Sequence, residues 1–294
     1  MSLVRAESNA QKPKISMSPV IAGAPFSVAD GFDALSFRHK SFASGFDPLI
    51  MVDHYVMTAP TFGAHPHAGL SAVSILFEDS VGKFHNTDSI GNDFDLEPGD
   101  LYWLKAASGA VHDERPRSGA KIHGLQMFVN IPNYDKNAMP NTLHVKASDM
   151  PIIERDGSRV RLVLGDYLDE TSAQSPSIPM NILDGRLNTA SEFRFQLQAG
   201  FNAWVYAVSG EINLHAGESQ MMLQKGESLA IENTDSDSVF NLTNQSSHAA
   251  HFVIVSAEPL NESFVQQGPL VASDNETMNA VIAKEQAGLF GSIN

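Results

Sequence analysis

The stretch EPGDLYWL at residues 97–104 returns, weakened, as QKGESLAI at 224–231: a glycine turn, an acidic residue, then an apolar strand. A second pair follows the same pattern, AVSILFEDSVGKFH at 72–85 and WVYAVSGEINLH at 204–215. One β-unit used twice constrains the fold more tightly than composition does. Around these pairs, short runs rich in β-branched and aromatic residues alternate with turn signals. In the first half they are PLIMVDHYV (48–56), LSAVSILFE (70–78), DLYWLKA (100–106) and HGLQMFVNI (123–131). In the second they are SRVRLVLGDY (158–167), FNAWVYAVSGEINLHAGES (201–219), SLAIEN (228–233) and AAHFVIVSA (249–257). The rhythm predicts an all-β chain folded as sandwiches or barrels.

A length of 294 residues suits about two domains, each with its own core. Pro, Asn, Asp and Ser thicken from Pro132 to about Ser191, which places a division near residue 132: a first domain over 1–132 and a second over 133–294. The tail differs from the rest. SDNETMNAVIAKEQAG (273–288) predicts a single C-terminal helix, opened by a capping box of Ser273 and Glu276 and stopped at Gly288. Met278, Val281 and Ile282 then share its apolar face.

Composition narrows the function classes. Nineteen Lys and Arg against 34 Asp and Glu leave a net charge of −15, with no basic cluster, which disfavours direct contact with nucleic acid or anionic lipid. The absence of cysteine removes disulfides, thiolate ligands and a cysteine nucleophile together. No run reaches the roughly 20 apolar residues of a membrane span, and the N-terminus lacks a signal-type apolar segment, so the cytoplasm is the expected location. P-loop, dinucleotide-binding and nucleophile-elbow motifs are all missing from the sequence.

Chemistry concentrates in two short pairs. In GAHPHAGL (63–70), His65 and His67 stand two apart, and in ASGAVHDERP (107–116) so do His112 and Glu114. Residues i and i+2 of a strand project from one face, so each pair points one way. Proline is confined to strand edges and ends, which puts Pro66 and its flanking histidines at the start or mouth of a sheet. An isolated HxH in a polar loop is ordinarily solvated; the HxE in the same half argues for a shared site. On neighbouring strands the two pairs present three imidazoles and a carboxylate, a donor set that suits Fe(II), Mn(II), Ni(II), Cu(II) or Zn(II). Of the other histidines only His54, in VDHY, falls near this site by position. The second half has no such pair: thirteen residues after Gly99 stands His112, but thirteen after Gly226 stands Val239. Only the first half is expected to carry a metal.

These residues resemble the pirins, bicupin members of the cupin superfamily. The matching runs are FDPLIMVDHY (46–55), HPHAGLSAVS (65–74), TDSIGN (87–92), EPGDLYWLKAASGAVHDERP (97–116) and HGLQMFVNIP (123–132), with EPLNESFVQQGPLV (258–271) and AGLFG (287–291) near the end. The resemblance implies two cupin-type β-barrels or jelly rolls with a short C-terminal helix. It implies one metal, usually iron, in the N-terminal cupin, held by His65, His67, His112 and Glu114. It further implies a quercetin 2,3-dioxygenase-like activity on a flavonol or enol with O₂, Glu114 serving both as ligand and as proton acceptor. Other pirins act without catalysis, as regulators through protein partners. The family commonly reads HPHRGFET; here Ala68, Leu70 and Ser71 replace arginine, phenylalanine and glutamate. Phe62, Leu70, Trp103 and Met127 are candidate cavity residues, with core packing the simpler role for the last two.

Overall fold

The computed structural model describes residues 15–293, apart from positions 29, 43, 156, 233 and 234. Each predicted run forms a strand within a few residues of its expected bounds. The large sheet of the first half has the spatial order Asn141–Val145, Leu101–Lys105, Leu70–Leu76, Ile122–Asn130, Leu49–Met57, Phe32–Arg38 and Ala24–Ser27. The second half repeats it with Ser16–Met17, Glu227–Glu232, Asn202–Ser209, Ala250–Ala257, Met180–Leu187, Ser158–Leu164 and Ile152–Arg155, while Ile21–Ala22 also pairs with Glu227–Glu232. A smaller sheet faces each large one. In the first half its order is His65–His67, Ala110–Pro116, Phe84–Asp88 and Asp93–Leu96; in the second it is Ser191–Leu197, Ser238–Asn244, Glu211–Ala216 and Ser219–Gln224. The two halves are thus two antiparallel jelly-roll sandwiches with one topology, as the sequence repeat predicts.

The alternation of side chains explains which face each strand buries. Ser191–Leu197, SEFRFQL, exposes every second residue and buries Phe193, Phe195 and Leu197. Leu70–Leu76 is buried along its whole length, because one face of its sheet covers the first sandwich and the other packs on the second half. Between the two large sheets, Phe37, Val73, Trp103 and Met127 join Val163, Trp204, Tyr206 and Val255 in one apolar cluster. Trp103 and Met127 are therefore core residues. Inside the second sandwich, Leu162, Leu183, Phe195, Phe240 and Leu242 make another.

The ends of the chain exchange sides between the two sandwiches. Ser16–Met17 completes the second half's sheet at the edge position that Asn141–Val145 takes in the first. Conversely, Val265–Gln267 and Leu270–Ala272 form a hairpin whose Val271 N–H donates to the Ala68 carbonyl at 2.9 Å, on the first half. The helix that follows runs Asn275–Gln286. Its cap lies one residue later than the expected box: Asp274 accepts from the Thr277 N–H at 2.8 Å, and Ser273 turns its hydroxyl to Thr277 Oγ1. The shorter carboxylate side chain reaches the free amide without help from Glu276. Met278 is buried, and Val281 and Ile282 pack with it against Ala68, Leu270 and Phe290, so the predicted face docks on the first half. Gly288, with φ +70°, turns the chain out of the helix. Among the described residues no helix is long and apolar enough to cross a membrane.

Candidate metal centre and cavity

The strand His65–His67 is only three residues long and pairs with Ala110–Pro116, bringing His65 opposite His112 and His67 opposite Ala110. Gly69 ends it with φ +70°, and a Cβ there would meet the Val271 carbonyl oxygen at 1.8 Å. Only glycine lets the tail hairpin approach so closely. The turn is held from below by Lys136, whose buried ammonium donates to the Gly69 carbonyl at 2.9 Å, to Asn130 Oδ1 and to the Ile131 carbonyl. Burial draws its pKa down to about 8.

The donor nitrogens of His65, His67 and His112 all lie within 4.8 Å of one another. His112 Nε2 is 3.0 Å from His67 Nε2 and 3.2 Å from His65 Nε2. His65 donates through Nδ1 to the Gly63 carbonyl at 2.8 Å, which leaves its Nε2 as a lone pair facing the others. Burial, reinforced by the neighbouring His65, lowers the His67 pKa to about 3, and His112 is pushed well below 6.5 by burial and then by His67 and His65. His67 and His112 are thereby favoured as neutral bases. A neutral His112 carries at most one proton and cannot satisfy both neighbours through one nitrogen, whereas a cation between the rings satisfies all three. The donor set therefore fits a first-row divalent ion.

Glu114 is placed differently. Its carboxylate lies outside the three-nitrogen cluster and accepts from the Ser74 hydroxyl at 2.8 Å through Oε2, while Oε1 is buried with no partner among the described residues. Burial raises its pKa to about 7; the Ser74 bond opposes that rise and Asp113 adds to it. The Tyr55 hydroxyl is likewise buried and unpartnered, its ring stacked on Phe32 with centroids 5.6 Å apart. His65, His67, Glu114 and Tyr55 share the wall of one cavity of about 610 Å³, with Phe26, Phe32, Phe62, Phe84 and Phe128 supplying aromatic surface. Gln266, Gly268 and Pro269 of the tail hairpin close part of its rim.

Several expectations move. Phe62 lines the cavity, but Leu70 is fully buried with Ile50, Ala72 and Val271. Ala68 packs beneath Leu270 and Phe290. The exchanged residues at 68 and 70 thus seat the C-terminal tail and do not form the cavity wall. His54 faces the other half of the molecule: its Nδ1 is 2.5 Å from the Tyr206 hydroxyl and its Nε2 is 2.7 Å from His123 Nε2. Ser74, Gln126, Asp53, Arg38 and Tyr55 were not singled out by spacing. Three of them do carry a signal, as polar residues inside largely apolar runs: Ser74 in LSAVSIL, Gln126 in HGLQMFV and Asp53 in LIMVDHYV.

The sequence profile of the family described as Pirin matches residues 7–129, and that of the Pirin C-terminal cupin domain matches residues 182–291. Human pirin is 30% identical over 237 residues, covering 80% of each chain. The chain belongs to the pirin family. Among solved structures, quercetin 2,3-dioxygenase from Acinetobacter baumannii superposes with a TM-score of 0.82 at 24% identity, covering 95% of this chain and 100% of its own. The bacterial pirin YhhW from Escherichia coli, in complex with nickel(II), gives 0.63 at 18% identity, covering 84% and 100%. At those identities the likeness is one of fold, and it agrees with the doubled cupin topology described above.

Proposed function

We propose that this pirin is a metal-dependent dioxygenase acting on a flavonol- or enol-type compound such as quercetin. The observation that carries the proposal is the convergence of three imidazoles, two of them (His65 and His67) on the wall of an aromatic cavity that also holds a buried, half-satisfied carboxylate. The A. baumannii structural relative, described as a quercetin 2,3-dioxygenase, supports the substrate class. His65, His67 and His112, with Glu114 able to join them, would hold one divalent ion, Fe(II) by family resemblance and nickel(II) by the example of YhhW. Such an ion supplies Lewis acidity and redox chemistry toward a bound enolic oxygen.

The chain's own residues perform the remaining tasks. A ring hydroxyl must lose its proton before oxidation, and Glu114, with a pKa near 7 and a free Oε1, is matched to accept it. Ser74 holds the other oxygen and so fixes the carboxylate plane. Phe32, Phe62, Phe84 and Phe128 offer flat apolar surface to a planar ring and exclude water from it. A role through protein contacts alone would leave this arrangement without a purpose.

The assay is direct. Protein loaded in turn with Fe(II) and nickel(II) is mixed with quercetin in air, and flavonol loss and O₂ uptake are followed together. Turnover is expected with at least one ion, and His65→Ala and Glu114→Ala should each lower it by about a hundredfold or more. Variants as fast as the parent would refute the proposal.

A further inference from the structure

The floor of the cavity carries a feature that the metal site does not use. Five polar residues stand directly opposite one another on five successive strands: Tyr102 pairs with Ser74, Ser74 with Gln126, Gln126 with Asp53, and Asp53 with Ser36. They form one straight polar row across a large sheet whose inner face is otherwise largely apolar. In the second half, Leu229 pairs with Val205, Val205 with Ile254, Ile254 with Leu183, and Leu183 with Leu162. These residues occupy the same five strands of the repeated topology, and all five are fully buried apolar side chains. A packed sandwich of this kind therefore does not require the polar row.

The row has a metal end and a far end. Ser74 Oγ lies 2.8 Å from Glu114 Oε2 and also 2.8 Å from the Gln126 side-chain oxygen. The Gln126 amide nitrogen has no partner among the described residues, and Gln126 lines the cavity. At the next strand, Asp53 Oδ1 accepts from the Ser36 hydroxyl at 2.5 Å and stands 3.6 Å from Arg38 Nη2. Its Oδ2 is free of protein partners among the described residues, and both Asp53 and Arg38 line the cavity. The apolar rings already named flank this end, so a free acceptor and a free donor sit side by side in an apolar wall. Their complement is a group that both donates and accepts, such as a phenolic hydroxyl.

We infer that Asp53 and Gln126 are specificity-determining residues that bind a second hydroxyl of the substrate, remote from the oxygen held at the histidines, and so select polyhydroxylated aromatic compounds over mono-oxygenated ones. The inference rests on the flavonol reading above for which end of the ligand meets the histidines. Asp53 Oδ2 accepts the remote O–H, and the Gln126 amide donates to the same oxygen. A site built to pair a hydroxyl discriminates strongly against the analogue that lacks it, because its own buried polar groups are then left unpaired.

The test is binding, measured without turnover by titration under argon. The probes are quercetin and 3-hydroxyflavone, which keeps the enolic oxygen and has no remote hydroxyl. The parent should bind quercetin about tenfold or more tighter, the range of one hydrogen bond to a charged group. Asp53→Leu, which installs the residue found at the matching position of the second half, should bring the two affinities within about twofold by weakening quercetin alone. Gln126→Ile should narrow the gap in the same direction. Thermal melting monitors folding, and if Asp53→Leu fails to fold, the isosteric Asp53→Asn decides by the same ratio. Equal affinities in the parent, or a variant that weakens both ligands alike, would overturn the inference while leaving the flavonol reading intact. Binding of neither probe to the parent would overturn the flavonol reading and this inference with it.

Discussion

The first and second halves of this pirin share one topology and differ in what fills it. His112 pairs with Asp88, the last residue of its strand, and with His65; Phe240 pairs with Ala216, the last residue of the matching strand, and with Phe195. By the same register Glu114 answers to Leu242 and His67 to Leu197. Every candidate ligand of the first half is thus a phenylalanine or leucine in the second, and all four of those are buried. Even the ring contact persists, with centroids 4.6 Å apart for His65 and His112 and 5.0 Å for Phe195 and Phe240. The lesson is that the sandwich is stable with an apolar filling. The polar filling of the first half is an added requirement that points to function.

The outer faces, where the halves meet, make a second contrast. Leu35 pairs with His54 in the first half and Arg161 with Asp184 in the second, and the neighbouring histidines are His123 and His251. The first set is a pair of histidine rings, His54 Nε2 lying 2.7 Å from His123 Nε2. In the second, Asp184 accepts from Arg161 at 2.5 Å and lies 2.5 Å from His251 Nε2.

The comparison can be broken in two places. The larger effect is expected in the core of the second half. Phe240→Ala should cost about 3–5 kcal/mol of unfolding free energy, as large aromatic truncations in packed cores do. His112→Ala in metal-free protein should cost under about 2 kcal/mol, because the ring is smaller and more polar than phenylalanine and stands against two other imidazoles. Denaturant midpoints of both variants check this, and equal losses would mean that the two fillings are structurally alike.

The smaller effect concerns pH and separates the two histidine sets. Burial, aided by the charges of His123 and His251, lowers the His54 pKa from 6.5 to about 3, so the unfolded chain binds the extra proton between those values. Acidification below 6.5 should therefore reduce stability by up to about 1.4 kcal/mol per pH unit, and His54→Phe should flatten that slope. For Asp184 the cost of burial is outweighed by His251 and Arg161, which hold its pKa well below 3.8. Its contribution is present above the unfolded carboxylate value and is lost only as pH falls below about 4. Asp184→Asn should change the curve in that lower window and leave the His54 window in place. Urea titrations at stepped pH distinguish the two.

Much of this was legible beforehand. The repeat of EPGDLYWL in QKGESLAI named two strands that do occupy the same place in their sheets, and the two-residue spacing of the histidines brought them together because strands have a period of two. Counting residues from the shared glycine pointed to Val239 as the counterpart of His112, whereas the register selects Phe240; the connection between those strands is one residue longer in the second half. The exchange of chain ends was not legible, since two-residue edge strands such as Ser16–Met17 carry no periodic signal. The polar row is not legible in the sequence for a related reason. Register between strands distant in sequence is set by tertiary pairing, and only pairing shows that Ser74, Gln126 and Asp53 stand in line.

The central claim is that the first half alone holds a metal. It is tested most directly by elemental analysis of protein purified without a metal-affinity step, for the parent, for a variant carrying His65→Phe and His112→Phe, and for Phe240→Leu in the second half. The account predicts one first-row ion per chain in the parent and in Phe240→Leu, and none in the double variant. An ion retained by the double variant, or a parent that takes up no ion even when dialysed against Fe(II) or nickel(II), would contradict it.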